Sequence, residues 1–399
     1  MATRNIPSGG GYESRIALAS AFALRAMADK RLSGTTETLM TTTHKAWRLH
    51  AHNDLRFDDV ATPTPAPDGV LVRIEAGMVL SYMGRVLSGQ VPYSLPPMPF
   101  VPGTNAIGRV IAAGDNVSHV RLGDRVFLSP HLRGDVPESD PPQILIGLTA
   151  TITTPAALAM QARWRDGVFA EIAHWPAACV TPLFNMDDRA AAELIGLAKL
   201  IVPFGGLQRT GLTGGETILI NGATGYFGSG AVMLAASMGA GRVVAVGRKR
   251  EALDNLRDVF GSRVIPAVIT GEAEMDLDII RKAAGGRADV ALDLLGTAKS
   301  TSTTLSCLRA LKRGGRLVLM GSADVPLELS FREMLANDWE VVGQFMYTRQ
   351  APGQLAQLAS EGLLDLNKIE VTTFPLADFR RAVEAAALMQ GLDLTAVIP

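Results

Sequence analysis

The run Thr217-Ile218-Leu219-Ile220-Asn221-Gly222-Ala223-Thr224-Gly225-Tyr226-Phe227-Gly228 constrains this chain more than any other stretch. An apolar β-type run enters a turn whose glycines recur at every third position, and a small-residue, helix-compatible segment from Ser229 to Gly239 leaves it. A second apolar run, Arg242 to Val246, ends in Gly247 and cations about 25 residues beyond Gly222, the spacing of a βαβ unit that holds a dinucleotide. Gly222 permits the tight turn, Gly225 lets backbone N–H groups approach a pyrophosphate, and Gly228 lets helix and strand pack closely, with the helix N-terminus facing the anion. The expectation is a nicotinamide dinucleotide held along Asn221, Gly222, Ala223, Thr224, Gly225, Tyr226, Phe227 and Gly228.

Further β-type runs follow at Arg263 to Pro266, Asp289 to Leu294, Arg316 to Met320 and Trp339 to Val342, separated by helix-compatible segments such as Ser300 to Leu311. That alternation predicts an α/β fold with a doubly wound parallel sheet. The choice of dinucleotide is read at the end of the second strand. A carboxylate there would accept from both ribose hydroxyls and repel a 2′-phosphate, but the position falls on Gly247, followed by Arg248, Lys249 and Arg250. One reading is a solvated helix start. Cations at a helix N-terminus oppose the macrodipole, however, and an NADP(H) phosphate on Arg248 and Lys249 supplies a reason for them.

At 399 residues and 47% hydrophobic content the chain is long enough for two domains with cores of their own. A net charge of −1 gives no footing for nucleic-acid binding. The two cysteines, Cys179 and Cys307, lie far apart, which argues against a disulfide framework and for a reducing compartment, the cytoplasm. No apolar stretch is read as long enough to cross a membrane; Ile144 to Ile152 is short and runs into Thr153-Thr154-Pro155, a helix start with Thr154 as cap. Residues 1–39 differ from the rest, with a flexible Ser8-Gly9-Gly10-Gly11, an Ala-rich stretch from Arg15 to Arg31 and a break at Ser33-Gly34. They are expected to be a disordered, dispensable extension, a transit peptide being the alternative.

From Met40 onward the chain reads as short strands with Pro/Gly punctuation. Lys45 to Leu49, Val70 to Ala76, Ala106 to Ala112 and Arg125 to Leu128 are strand-like, with turns at Ala66-Pro67-Asp68-Gly69 and Ala113-Gly114-Asp115-Asn116. Arg165 to Glu171 and Pro176 to Val180 complete this β-rich region.

The β-rich front, Val101-Pro102-Gly103-Thr104-Asn105-Ala106-Ile107-Gly108-Arg109-Val110, Gly123-Asp124-Arg125-Val126 and the Gly222 to Gly228 turn together resemble the medium-chain dehydrogenase/reductase superfamily, closest to its zinc-independent quinone-reductase and enoyl-reductase branch. The resemblance implies a GroES-like β-barrel catalytic domain from residues 40–180 and 345–399, a Rossmann cofactor domain from 181–344, and an active site in the cleft between them. It also places Leu294, Leu295, Gly296, Gly321, Ser322, Gln344 and Phe345 beside the ribose and nicotinamide, and implies a homodimer.

Zinc-dependent relatives carry Gly-His-Glu where this chain has Gly103-Thr104-Asn105, and a ligand cysteine where it has Met78-Val79-Leu80-Ser81. The connection from Ser129 to Gly167 contains no cysteine, and His50-Ala51-His52 at a strand end reads as solvated, so neither zinc site is expected. Without a metal, charge that develops on the substrate needs a hydrogen-bond or proton donor. Matching Leu95-Pro96-Pro97-Met98-Pro99 to the similar run in enoyl reductases puts Tyr93 on their tyrosine, with Ser81 and Tyr82 as alternatives; Tyr93 packing a Pro-rich loop is the other reading. Leu80 and Met83 stand where quinone-reductase relatives carry Asn and Asp. The expected activity is NADPH-dependent hydride transfer to an activated C=C bond or a quinone on a small molecule. The alternatives are an NADP-dependent alcohol dehydrogenase or carbonyl reductase, and an NADPH-binding protein with little turnover.

Overall fold

The computed structural model of the protein describes residues 42–135 and 140–399. The extension expected at residues 1–39 falls outside them.

The chain enters through a hairpin, β1 (Thr43–Ala51) and β2 (Asp54–Ala61), and continues through β3 (Gly69–Val79), helix α1 (Met83–Leu87), β4 (Ala106–Ala113) and β5 (Arg125–Leu128). Three short strands, β6 (His131–Arg133), β7 (Gln143–Leu145) and β8 (Thr149–Ala150), form a small sheet of their own. Helix α2 (Pro155–Arg163) follows, with Thr154 Oγ1 accepting from the Ala157 amide as the Thr-Pro start predicts. After β9 (Ile172–Pro176) and β10 (Val180–Pro182) come helices α3 (Ala191–Leu194) and α4 (Gly196–Thr210).

Strict alternation then sets in: β11 (Thr217–Asn221), α5 (Tyr226–Ser237), β12 (Arg242–Gly247), α6 (Arg250–Phe260), β13 (Val264–Val268), α7 (Ala273–Ala284), β14 (Ala288–Asp293), α8 (Ser302–Arg309), β15 (Leu311–Leu319), α9 (Phe331–Asn337) and β16 (Glu340–Gly343). The chain ends through α10 (Ala351–Ser360), β17 (Glu370–Pro375), α11 (Phe379–Ala386) and β18 (Asp393–Ile398).

Two large sheets result. The first runs β10-β5-β4-β3-β18-β17, with β9 also on β3, so the last strand of the chain completes a sheet begun by the front half. Strand β3 is central and nearly continuously apolar, with Val70, Leu71, Val72, Ala76 and Val79 fully buried. Its Glu75 accepts from Arg109 Nε at 2.9 Å and Arg125 Nε at 2.7 Å and so ties β3 to β4 and β5. The second sheet, β13-β12-β11-β14-β15-β16, is parallel throughout, and Ile218, Leu219, Ile220, Val243 and Val244 are fully buried in it.

One expectation is corrected. No stretch was expected to be long and apolar enough to cross a membrane, but Ala191–Thr210 is 20 residues long and apolar enough to do so. The structure accounts for its apolarity: α4 packs against α5, α10, β14 and β15, and most of the segment is buried as a core helix.

Candidate functional site

The carboxyl ends of parallel strands gather the residues expected to meet a cofactor. In register, Asn221 on β11 lies beside Val246 on β12 and Asp293 on β14, and Asp293 lies beside Leu319 on β15, itself beside Gly343 on β16. The turns just beyond these positions are Gly222 to Gly228, Gly247 to Lys249, Leu294 to Gly296, Gly321-Ser322 and Gln344-Phe345, brought to one edge from five separate stretches. Gly222 has φ 78°, a conformation costly for any side chain. A Cβ at Gly228 would stand 2.0 Å from the Gly222 carbonyl, so only glycine lets α5 begin this close to the turn. Gly225 precedes the helix as its cap residue, and a Cβ there would meet only the Gly222 carbonyl, at 3.2 Å. These glycines form a cradle that fits a dinucleotide pyrophosphate.

Sequence reasoning missed the residue that braces this edge. Asp293 is 5% exposed, and its carboxylate accepts from Asn221 Nδ2 at 2.7 Å, Thr304 Oγ1 at 2.7 Å and the Leu295 amide at 3.0 Å. Its backbone carbonyl accepts from the Met320 and Gly321 amides. One residue therefore fixes the turns after β11, β14 and β15. The signal available was an acid closing an apolar strand, Val290-Ala291-Leu292-Asp293. Asn221 Oδ1 is left buried without a protein partner. Gly321 stays close because a Cβ would stand 2.1 Å from the Leu295 carbonyl.

At the end of β12, Arg248, Lys249 and Arg250 are exposed, with α6 beginning at Arg250 and Lys249 as its cap residue. Gly247 is buried, and a Cβ there would press on Thr224 at 3.2 Å.

On the facing sheet the structure brings Tyr82 and Tyr93 together: their rings meet edge to face, with centroids 6.3 Å apart. Tyr82 starts α1, and Ser81 precedes it in the turn after β3. Tyr93 is 36% exposed, and its amide donates to the Val91 carbonyl. Burial pushes the Tyr82 phenol well above its ordinary range, with the Tyr93 and Tyr226 phenols adding to the shift, so it stays a proton donor. Tyr226 approaches from the dinucleotide turn and donates its hydroxyl to Met78 Sδ at 3.3 Å. Burial raises this phenol too.

The residues present do not fit zinc. Leu80 is buried, Thr104 Oγ1 is buried without a protein partner, and Asn105 donates its amide to the Leu128 carbonyl. Among the described residues no group of three or more His, Cys, Asp or Glu side chains is gathered to hold a metal.

Two family models match the chain: the alcohol dehydrogenase GroES-like domain over residues 66–185 and the zinc-binding dehydrogenase domain over residues 227–361. Together they match the two-domain arrangement of the medium-chain dehydrogenase/reductase superfamily, to which the chain is similar. Its α/β fold is the GroES-like domain joined to a Rossmann-like parallel sheet. Sorbitol dehydrogenase from Bombyx mori is 27% identical over 348 residues, 85% of this chain and 94% of that protein. Human sorbitol dehydrogenase is 25% identical over 87% of this chain and 93% of its own length. Among solved structures, a Sinorhizobium meliloti 1021 protein described as a zinc-binding dehydrogenase and bound to NADP superposes with a TM-score of 0.70 at 22% identity, covering 90% of this chain and all of the other. These relatives are sorbitol dehydrogenases and a zinc-binding dehydrogenase. They support a pyridine-nucleotide oxidoreductase and do not extend to the quinone-reductase branch that the sequence suggested.

Proposed function

We propose that this chain is an NADP(H)-dependent, zinc-independent oxidoreductase that delivers hydride to an activated C=C bond or a quinone on a small molecule. The observation that carries the reading is the Tyr82–Tyr93 pair, set just beyond β3 where zinc-dependent relatives begin their metal site. When bound, the nicotinamide would supply the hydride. Asn221 to Gly228 would hold the pyrophosphate, Arg248 and Lys249 the 2′-phosphate, and Leu294 to Gly296, Gly321, Ser322, Gln344 and Phe345 would border the ribose and nicotinamide. Hydride addition to a conjugated C=C bond or a quinone leaves an enolate or phenolate, far less basic than an alkoxide. A neutral phenol can stabilise or protonate such an oxygen without a Lewis acid. Tyr82, held protonated by burial, suits that role, and the more exposed Tyr93 can pass a proton to it from solvent.

The second reading, an NADP-dependent alcohol dehydrogenase or carbonyl reductase, is favoured by the sorbitol dehydrogenase relatives, which align over most of the chain. NADPH oxidation measured over enones, quinones and aldehydes, with polyol oxidation by NADP+ in parallel, decides between them. Turnover of enones or quinones supports the first reading; activity confined to aldehydes and polyols replaces it with the second. Tight NADPH binding with no turnover leaves a cofactor-binding protein.

For assembly, the proposal is a homodimer through β16, the open edge of the six-stranded sheet. Phe331 and Leu335, 84% and 68% exposed on the neighbouring α9, give that edge an apolar flank. The cytoplasmic placement stays a proposal, supported by Cys179 and Cys307 being buried free thiols.

A further inference from the structure

Lys199 is fully buried within α4, yet no carboxylate pairs with it among the described residues. Neither α5 nor α10, which pack on α4, carries an acidic side chain. The ammonium donates instead to the Tyr226 carbonyl at 2.8 Å and the Asp393 carbonyl at 3.3 Å, and lies 3.5 Å from the centre of the Tyr226 ring. Tyr226 opens α5 directly behind the Gly222 to Gly225 turn, whereas Asp393 begins β18 at the end of the chain.

We infer that Lys199 is a positioning residue for the dinucleotide, tying the first turn of α5 to the segment around Asp393 and holding behind the pyrophosphate turn an amine whose charged form an arriving anion favours. An apolar side chain of equal length would fill this space without the cost of burying an ionisable amine, so the amine itself needs a reason. Two carbonyls and an aromatic face replace its water shell, and the low-dielectric surroundings let the charge act on an anion at the turn. A second tether lies alongside, where Ser229 Oγ donates to the Gly391 carbonyl. The segment so held, Gln390 to Asp393, walls a groove of about 1210 Å³ that Thr224 and Lys249 also line. Burial pulls the ammonium down to about 7, opposed by Asp393, so an anion arriving at the turn favours its charged form.

The inference rests on the dinucleotide reading above, and the test separates the two. Wild-type protein is titrated with NADPH, ADP-ribose and adenosine 2′,5′-bisphosphate, which lacks the pyrophosphate; if it binds none of them, the dinucleotide reading itself fails. In Lys199→Met the expected result is about tenfold weaker binding of NADPH and ADP-ribose, unchanged binding of the bisphosphate, and a melting temperature no lower than wild type. Wild-type affinity for ADP-ribose in Lys199→Met overturns the inference, as does an equal loss for the bisphosphate. Should Lys199→Met not fold, Ser229→Ala, which loosens the same segment with Lys199 in place, is expected to weaken NADPH about threefold, and an unchanged NADPH affinity there overturns the inference that this segment positions the dinucleotide.

Discussion

The Tyr226 hydroxyl lies 3.3 Å from the Met78 sulfur, so the dinucleotide turn touches the strand that leads into Ser81 and Tyr82. A shift in the cofactor loop is therefore felt where the substrate is expected to sit, and the two halves of the site cannot be tuned independently.

Tyr93→Phe and Tyr82→Phe each keep ring and packing while removing a donor. Enone turnover is expected to fall about tenfold to a thousandfold in each, with NADPH affinity unchanged. The loss should be smaller for a quinone, whose reduced product water readily protonates. Because burial places Tyr82 above the ordinary phenol value of 10.0, its donor form persists through the neutral range, and kcat for an enone should stay flat from about pH 6 to about pH 9. Full enone activity in both variants would move the proton source to Ser81 or solvent.

Arg248 and Lys249 stand exposed at the end of β12. Their joint replacement by Ala is expected to weaken NADPH by about 2 kcal/mol, roughly thirtyfold, and to leave NADH nearly unchanged. Calorimetric titration of both cofactors checks this, and equal losses would remove the phosphate role.

Elemental analysis of the purified protein should find no stoichiometric zinc in the cleft, and activity should be indifferent to chelators, because Leu80, Thr104 and Asn105 offer no ligand set. One zinc per chain together with chelator-sensitive turnover would refute the metal-free reading.

Asp293→Ala strands the Asn221 amide, the Thr304 hydroxyl and the Leu295 amide without their acceptor. A loss of about 3 kcal/mol or more in urea unfolding is expected, with weaker cofactor binding even where the fold survives. Stability within about 0.5 kcal/mol of wild type would show that water replaces the carboxylate.

Charging the exposed flank of β16 by Phe331→Asp with Leu335→Asp is expected to shift the protein from dimer to monomer in analytical ultracentrifugation. An unchanged mass would place any interface elsewhere.

Most of the parallel sheet was legible in the sequence because its strands are buried on both faces and read as unbroken apolar runs between glycines. Strand β15 begins at Leu311 rather than near Arg316, since Lys312-Arg313-Gly314-Gly315 carries the chemistry of a turn. The polar strand β2, Asp54–Ala61, and the small sheet after Ser129 were not legible, because neither has the alternation of a half-buried strand. On the site, the glycine cradle was legible as a local motif, whereas Tyr93 came from the family resemblance with Tyr82 as its alternative, and their pairing was not foreseen. Asp293 and Lys199 could not, because each acts through partners distant in sequence, and a lysine within an apolar helix reads as a solvated interruption until its carbonyl partners are seen.

Strand β18 seats Thr395 against Val79 and Ala396 against Met78, with Glu370 to Pro375 paired along its other side. During synthesis the Gly77 to Val79 end of β3 must therefore wait for Thr395 to Val397, although β9 can already hold the same edge along Gly69 to Arg73, and the parallel sheet can close in the meantime. Removing Leu394 to Ile398 would open the sheet beside Met78, which makes this segment an unsuitable place for a cut or an insertion.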